Sequence, residues 1–230
     1  METHKELLSD TKAAGANGEM TMDGIAGVIL AGGLSRRMGG GDKTLLALGD
    51  RPLLSHVISG LGRQVGPIAL NANGDPARFR AFGLPVVPDT IEGFAGPLAG
   101  VLAGMEWARQ KDGVKALVSV AGDTPFFPDN LVAELAKATK GRLDRIVIAC
   151  SGGRRHPVFA LWPLSLRDPL STFLTEKNDR SVAAFAARHH AVEQDYPLET
   201  FGTMTADPFF NINTPEDLAK AETLFRERYR

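Results

Sequence analysis

The stretch Ile25-Ala26-Gly27-Val28-Ile29-Leu30-Ala31-Gly32-Gly33-Leu34-Ser35-Arg36-Arg37-Met38-Gly39-Gly40-Gly41-Asp42-Lys43 falls into two parts. Its first six residues are apolar and β-leaning, as a strand covered on both faces requires. From Leu30 to Lys43 there follow five glycines, three cations and a single acid, Asp42. Glycine leaves backbone N–H groups open to close approach, because no Cβ intervenes. Arg36, Arg37 and Lys43 place positive charge beside that bare backbone. A buried strand running into such a loop reads as the first unit of a sheet that binds a phosphate chain at its edge.

Apolar runs and helical patterns alternate on the C-terminal side of this stretch. Strand-like runs occupy residues 25–31, 67–73, 84–88, 115–122, 144–150 and 156–162. Helical patterns fall at 52–65, 77–82, 97–110, 130–140, 163–176 and 181–189, and a last helix begins at Thr214-Pro215-Glu216-Asp217. In the first helix Leu53, Leu54, Val57, Ile58, Leu61 and Val65 recur at three- and four-residue spacing, which puts them on one face. At the last helix Thr214 suits the cap, Pro215 the first position and Asp217 the capping-box position. The expected fold class is α/β, a Rossmann-like arrangement of three layers with a mostly parallel sheet. In such sheets ligands sit beyond the carboxyl ends of the strands.

With 26 Lys+Arg against 27 Asp+Glu, the 230 residues carry a net charge of −1, so no global field attracts nucleic acid or anionic lipid. Any anion site has to be built locally. The single cysteine, Cys150, has no internal disulfide partner. Residues 1–24 are small, charged and polar, lack the apolar core of an export signal, and read as a disordered tail or an over-long start, with Met20 and Met22 as alternative initiators. No apolar run reaches the ~20 residues that span a bilayer. A cytoplasmic chain is expected, with no membrane or nucleic-acid partner. Residues 25–230 are expected to form one domain, with a nucleotide-binding part over about 25–125 and an acceptor-binding part over about 126–230.

Two familiar phosphate loops fail on spacing. A Walker loop needs Gly-Lys-Thr in succession, but Asp42 separates Gly41 from Lys43-Thr44. A dinucleotide loop needs an acid at the end of the next strand, which here ends Asn71-Ala72-Asn73. A third pattern does fit. LAGGxSxRMGxxxK after a first strand resembles the signature of the molybdenum cofactor (molybdopterin) guanylyltransferase family. The resemblance continues through residues 49–57, LNANGD (70–75), LPVVPD (84–89), GPLAGVLAGM (96–105), VAGDTPFFP (120–128), RRHPVFALW (154–162) and FNINTPEDL (210–218), and so covers the chain from about residue 25 to its end. Relatives that use cytidine nucleotides tend to carry LAAG in place of LAGG. Sugar-1-phosphate nucleotidylyltransferases usually show LAGGxGTRL. A non-catalytic GTP-binding module that chaperones cofactor delivery is the reading from a different class, and Asp123 separates it from an enzyme.

The resemblance implies a nucleotidyltransferase that joins GMP from GTP to the terminal phosphate of molybdopterin or molybdenum-molybdopterin, with Mg²⁺ as cofactor. Molybdoenzyme chaperones or cofactor-insertion proteins would then be partners. It assigns Leu30, Ala31, Gly32, Gly33, Lys43, Asn71, Asp89 and Asp123 to GTP. Lys43, Arg37 and Asp123 become the catalytic candidates, and Asp123 the metal ligand. Arg154, Arg155, Asn211 and Asn213 are the candidates for the acceptor. The chemistry of these residues agrees with those roles. Mg²⁺ takes hard oxygens and often needs only one or two carboxylates besides phosphates and water. Asp89 suits either the donor edge of guanine or a ribose hydroxyl. His156, before Pro157, reads as a hydrogen-bonded structural residue.

Overall fold

A computed structural model of the protein describes residues 24–32, 42–91, 96–142, 144–176 and 181–228. Gly33, Arg36, Arg37 and residues 1–23 of the expected tail lie outside these. The elements run β1 (Ile25–Leu30), β2 (Ala47–Leu48), β3 (Arg51–Pro52), α1 (Leu53–Gly62), β4 (Ile68–Asn71), β5 (Val86–Val87), α2 (Pro97–Ala108), β6 (Ala116–Ala121) and α3 (Leu131–Ala138). They continue with β7 (Val147–Ser151), β8 (Arg154–Pro163), α4 (Arg167–Thr175), α5 (Val182–Arg188), β9 (Val192–Tyr196), β10 (Glu199–Phe201), β11 (Met204–Ala206) and α6 (Pro215–Arg228).

Seven strands form one sheet in the order β5-β4-β1-β6-β8-β7-β9. Only β8 runs against the rest, pairing antiparallel with β6 and β7. From β1 the chain steps outward to β4 and β5, then returns to lay β6 on β1's other side. The strand order therefore reverses between β1 and β6, and the crevice beyond their carboxyl ends is where open α/β sheets bind ligands.

The alternation of side chains along each strand builds two cores. Ile25 and Ile29 of β1, with Val118 and Val120 of β6, face α1 and α3. Ala26 and Val28, with Leu117, face α2, α4 and α5. A third cluster packs α6 against the short hairpins through Leu48, Leu53, Phe126, Phe201 and Leu224. No helix among the described residues is long and apolar enough to cross a membrane.

Most expected elements are present, with shifted ends. The strand expected over 84–88 shrinks to Val86–Val87 because prolines flank it on both sides and proline cannot donate to a ladder. The pattern at 77–82 forms a 3₁₀ helix, Pro76–Phe82, capped by Asp75, whose carboxylate accepts from Ala77 N–H at 2.9 Å. The strand expected over 156–162 extends to Arg154–Pro163. The helix expected from 163 opens as a 3₁₀ turn, Leu164–Leu166, before α4 begins. At α6 the capping box forms as the sequence suggests. Asp217 N–H donates to Thr214 Oγ1 at 3.2 Å, and Asp217 Oδ2 accepts from the N–H groups of Asn213 (2.9 Å) and Thr214 (3.0 Å).

Candidate active site

Two polar clusters stand on the carboxyl edge of the sheet. The first lies at the reversal point. Lys43 opens a 3₁₀ turn, Lys43–Leu45, that receives the chain as it leaves the glycine-rich loop. Its ammonium forms an ion pair with Asp123 and donates to Asn213 Oδ1 at 2.7 Å. Asp123 follows β6, in a turn where Gly122 N–H donates to Leu30 C=O at 3.0 Å. Gly122 has to be glycine there: a Cβ would stand 2.9 Å from Thr44 Cγ2 and 3.3 Å from Leu30 O. Asn213 arrives from the far end of the chain. Ile212 N–H donates to the Asp123 carbonyl at 3.1 Å, and the α6 capping box holds the backbone of Asn213. Three residues separated by up to 170 positions thus meet at one point.

The second cluster sits at the ends of β4 and β5. Asn71, only 6% exposed, donates from Nδ2 to Val87 C=O (3.1 Å) and to Asp89 Oδ1 (2.9 Å). Asn73 donates to Asp89 Oδ2 at 2.8 Å, and its own Oδ1 accepts from Asp89 N–H at 2.9 Å. Behind Asn71 stands Gly100 of α2. A Cβ at Gly100 would overlap the Asn71 amide oxygen and lie 2.9 Å from Leu30 Cδ2. Leu30, Asn71 and Gly100 are therefore in close packing, and alanine at position 100 would drive Asn71 away from Asp89.

Arg78 joins the two clusters. It donates to Asn73 C=O at 2.6 Å and pairs through Nε with Asp42 Oδ2 at 2.8 Å, so the exit of the glycine-rich loop is tied to the end of β4. The sequence reading missed both Asn73 and Arg78. Asn73 lies two residues after Asn71, on the same strand exit, and that spacing was the one available signal. The Thr44 hydroxyl, beside Lys43, is buried and finds no hydrogen-bond partner among the described residues.

Of the strand-end groups expected to contact GTP, some are already engaged. Ala31 N–H donates to Asn71 C=O at 2.9 Å, and Leu30 C=O accepts from Gly122. Gly32 is exposed. The acceptor candidates are spread more widely. Arg154 and Arg155 begin β8, which extends past the carboxyl end of β6. Arg155 is held by Glu193 of β9, Nε to Oε1 at 2.5 Å, whereas Arg154 is exposed. Asn211 is exposed as well.

His156 is structural, as its sequence context suggests. It is 7% exposed and stacks on Phe209, with ring centroids 4.5 Å apart. Ser151 Oγ donates to Asp207 Oδ1 at 2.7 Å, so the His156 Nε2–H donates to Ser151, also at 2.7 Å. Burial holds the imidazole below its ordinary pKa, with Asp207 opposing that shift. The trio ties the β7–β8 hairpin to the segment that carries Asn213. Cys150 is buried and its thiol is pushed up to about 11, first by burial and then by Glu193, which disfavours the thiolate.

No group of three or more His, Cys, Asp or Glu among the described residues is arranged to hold a metal ion. One carboxylate and one amide oxygen at the first cluster nevertheless suit a hard cation that takes its other ligands from phosphates and water. The Lys43 ammonium, lodged between those two oxygens, stands where such a cation would bind. A cavity of about 400 Å³ between α1 and α6, lined among others by Arg51, Arg63, Phe126 and Arg228, includes none of Lys43, Asn71, Asp89 or Asp123.

Residues 27–192 match the family described as the MobA-like NTP transferase domain. A molybdenum cofactor guanylyltransferase from Mesorhizobium japonicum is 53% identical over 202 residues, covering 88% of this chain and 96% of the relative. The structure is similar to that of molybdopterin-guanine dinucleotide biosynthesis protein A from Archaeoglobus fulgidus, with a TM-score of 0.68 and 23% identity over 88% of this chain and 99% of that one. It is equally similar in fold to a 4-diphosphocytidyl-2C-methyl-D-erythritol synthase from Anaerococcus prevotii, with a TM-score of 0.68 and 12% identity over 92% and 100% of the two chains. Backbone shape alone thus does not select the base.

Proposed function

This chain belongs to the molybdenum cofactor guanylyltransferases within the MobA-like NTP transferase family, and from that premise we propose that it transfers GMP from GTP to the terminal phosphate of molybdopterin, with or without bound molybdenum. The acceptor phosphate oxygen attacks the α-phosphorus of GTP. The bond from that phosphorus to the β-phosphate bridging oxygen breaks, and pyrophosphate leaves with the bonding electrons. The nucleophile is already an anion, so the protein needs no general base. Its work is to hold two polyanions together and to balance the charge that builds up between them.

The single observation that carries this reading is the meeting of Lys43, Asp123 and Asn213 at the point where the strand order reverses. Lys43 is the cation for the phosphate chain, and Arg37 is the second. Asp123, with Asn213 beside it, is the site for Mg²⁺, which would screen the triphosphate and stabilise the leaving pyrophosphate. Leu30, Ala31, Gly32 and Gly33 line the nucleoside. Asn71 and Asp89 face the guanine, where the Asp89 carboxylate accepts from N1–H and the exocyclic amine. Arg154, Arg155 and Asn211 serve the acceptor. Residues 25–125 act as the nucleotide-binding part and 126–230 as the acceptor-binding part of one cytoplasmic protein, which passes its product to molybdoenzyme chaperones or insertion proteins.

The alternative is cytidylyl transfer to the same pterin, against which the fold does not decide. A nucleotide competition decides between them. Molybdopterin is incubated with the protein, Mg²⁺ and each nucleoside triphosphate in turn, and the adduct is identified by mass. A guanylyl adduct is expected from GTP, with little from CTP or ATP. A cytidylyl adduct as the main product would overturn the assignment.

A further inference from the structure

Asp89 is a half-buried strand-end carboxylate held at both of its oxygens. Each of its oxygens accepts one amide hydrogen, Oδ1 from Asn71 and Oδ2 from Asn73. Its own backbone N–H is returned to the Asn73 side chain. Asn73 therefore grips Asp89 at two points, and its own carbonyl is fixed in turn by Arg78. Among the described residues Asp89 forms no ion pair, and two neutral amides orient its carboxylate.

A carboxylate whose two oxygens each keep a free lone pair is an acceptor-only edge. Guanine is the one common base that presents two adjacent donors, N1–H and the exocyclic N–H, along a single edge. Adenine and cytosine set a donor next to an acceptor, and uracil sets its single donor between two acceptors. Bidentate pairing with a carboxylate needs the carboxylate plane to be fixed as well as its position. Asn71 fixes one oxygen, and Asn73 supplies the second constraint.

We propose that Asn73 is a positioning residue that sets guanine specificity, by clasping Asp89 so that both carboxylate oxygens face the paired donors of the base. The inference rests on the guanylyl-transfer reading above. Asn73 is exposed on the strand exit, so its replacement leaves both cores intact.

The test compares GTP with ITP, which keeps N1–H and lacks the exocyclic amine, in wild type, Asn73→Ala and Asn73→Asp. Wild type is expected to prefer GTP in kcat/KM. Asn73→Ala should lower that preference about tenfold, the scale of one weakened charge-assisted hydrogen bond. The loss should fall on KM for GTP, with kcat and the ITP reaction near wild type. Asn73→Asp, which turns a donor towards Asp89 into a like charge, should lower it at least as far. Parallel loss with both nucleotides would reduce Asn73 to a structural residue and overturn the inference. So would an unchanged GTP preference in Asn73→Ala, or a wild type indifferent between GTP and ITP. In each of those cases guanylyl transfer itself stands. A wild type that forms no guanylyl adduct overturns the underlying reading instead.

Discussion

Lys43→Ala is expected to lower guanylyl transfer by about 10²–10³-fold, the cost of removing one preorganised charge donor from a transition state. The same variant should bind a divalent ion more tightly when no nucleotide is present. In the free protein the Lys43 ammonium lies between Asp123 and Asn213, and a cation entering that place must displace it. Alanine removes the competitor and leaves both oxygens available. The two effects have opposite signs, which distinguishes them from general damage to the site. Steady-state turnover measures the first, and Mn²⁺ titration followed by electron paramagnetic resonance measures the second. Near-normal turnover would remove Lys43 from the phosphate site, and unchanged ion affinity would show that its pairing with Asp123 does not compete with the metal.

Asp123→Ala is expected to have a larger effect, about 10³-fold or more. Lewis-acid stabilisation by a metal is worth several kcal/mol, and each 1.36 kcal/mol is a factor of ten in rate. The fold should survive the change. Alanine keeps the Asp123 carbonyl, which accepts from Ile212 N–H, and within the fold gives up one bond besides the Lys43 pair, that from the Thr124 hydroxyl to Oδ1 at 3.1 Å. Thermal unfolding near wild type, with Mn²⁺ affinity and turnover both lost, is the expected combination. Retained metal-dependent pyrophosphate release would take Asp123 out of the metal site.

Two members of the first cluster, Lys43 and Asp123, were expected together from the sequence, whereas Asn213 was expected at the acceptor and stands instead on Lys43. Lys43 closes a glycine loop, Asp123 ends an apolar strand and Asn213 precedes a capping box. Each is marked by its own local chemistry, and strands packed in parallel bring such ends to one edge. The second cluster was legible only in part. Asn71 and Asp89 are strand-end residues in a recognisable pattern, but the clasp by Asn73 depends on the register of β4 against β5, Asn71 opposite Val87. Nothing in the spacing of residues 71, 73 and 89 reveals that register. Arg78 lies in a 3₁₀ helix whose pitch differs from that of an α-helix, so its direction towards Asp42 was equally hidden.

Strand β9 escaped for another reason. Val192-Glu193-Gln194-Asp195-Tyr196 is an edge strand with one charged face, and its polarity reads as loop. Its Glu193 holds Arg155, which narrows what that arginine can offer an acceptor. The engaged backbone of Leu30 and Ala31 was also invisible beforehand, because partners for a strand end are fixed by its neighbours in the sheet rather than by its own sequence.

A crystal structure of the protein with GTP and Mg²⁺ tests the central claim most directly. The triphosphate is expected across the reversal point between β1 and β6, with Lys43 on the phosphates, the ion on Asp123 and the base edge against Asp89. GTP bound instead in the cavity between α1 and α6, or no bound nucleotide at millimolar concentration, would contradict it.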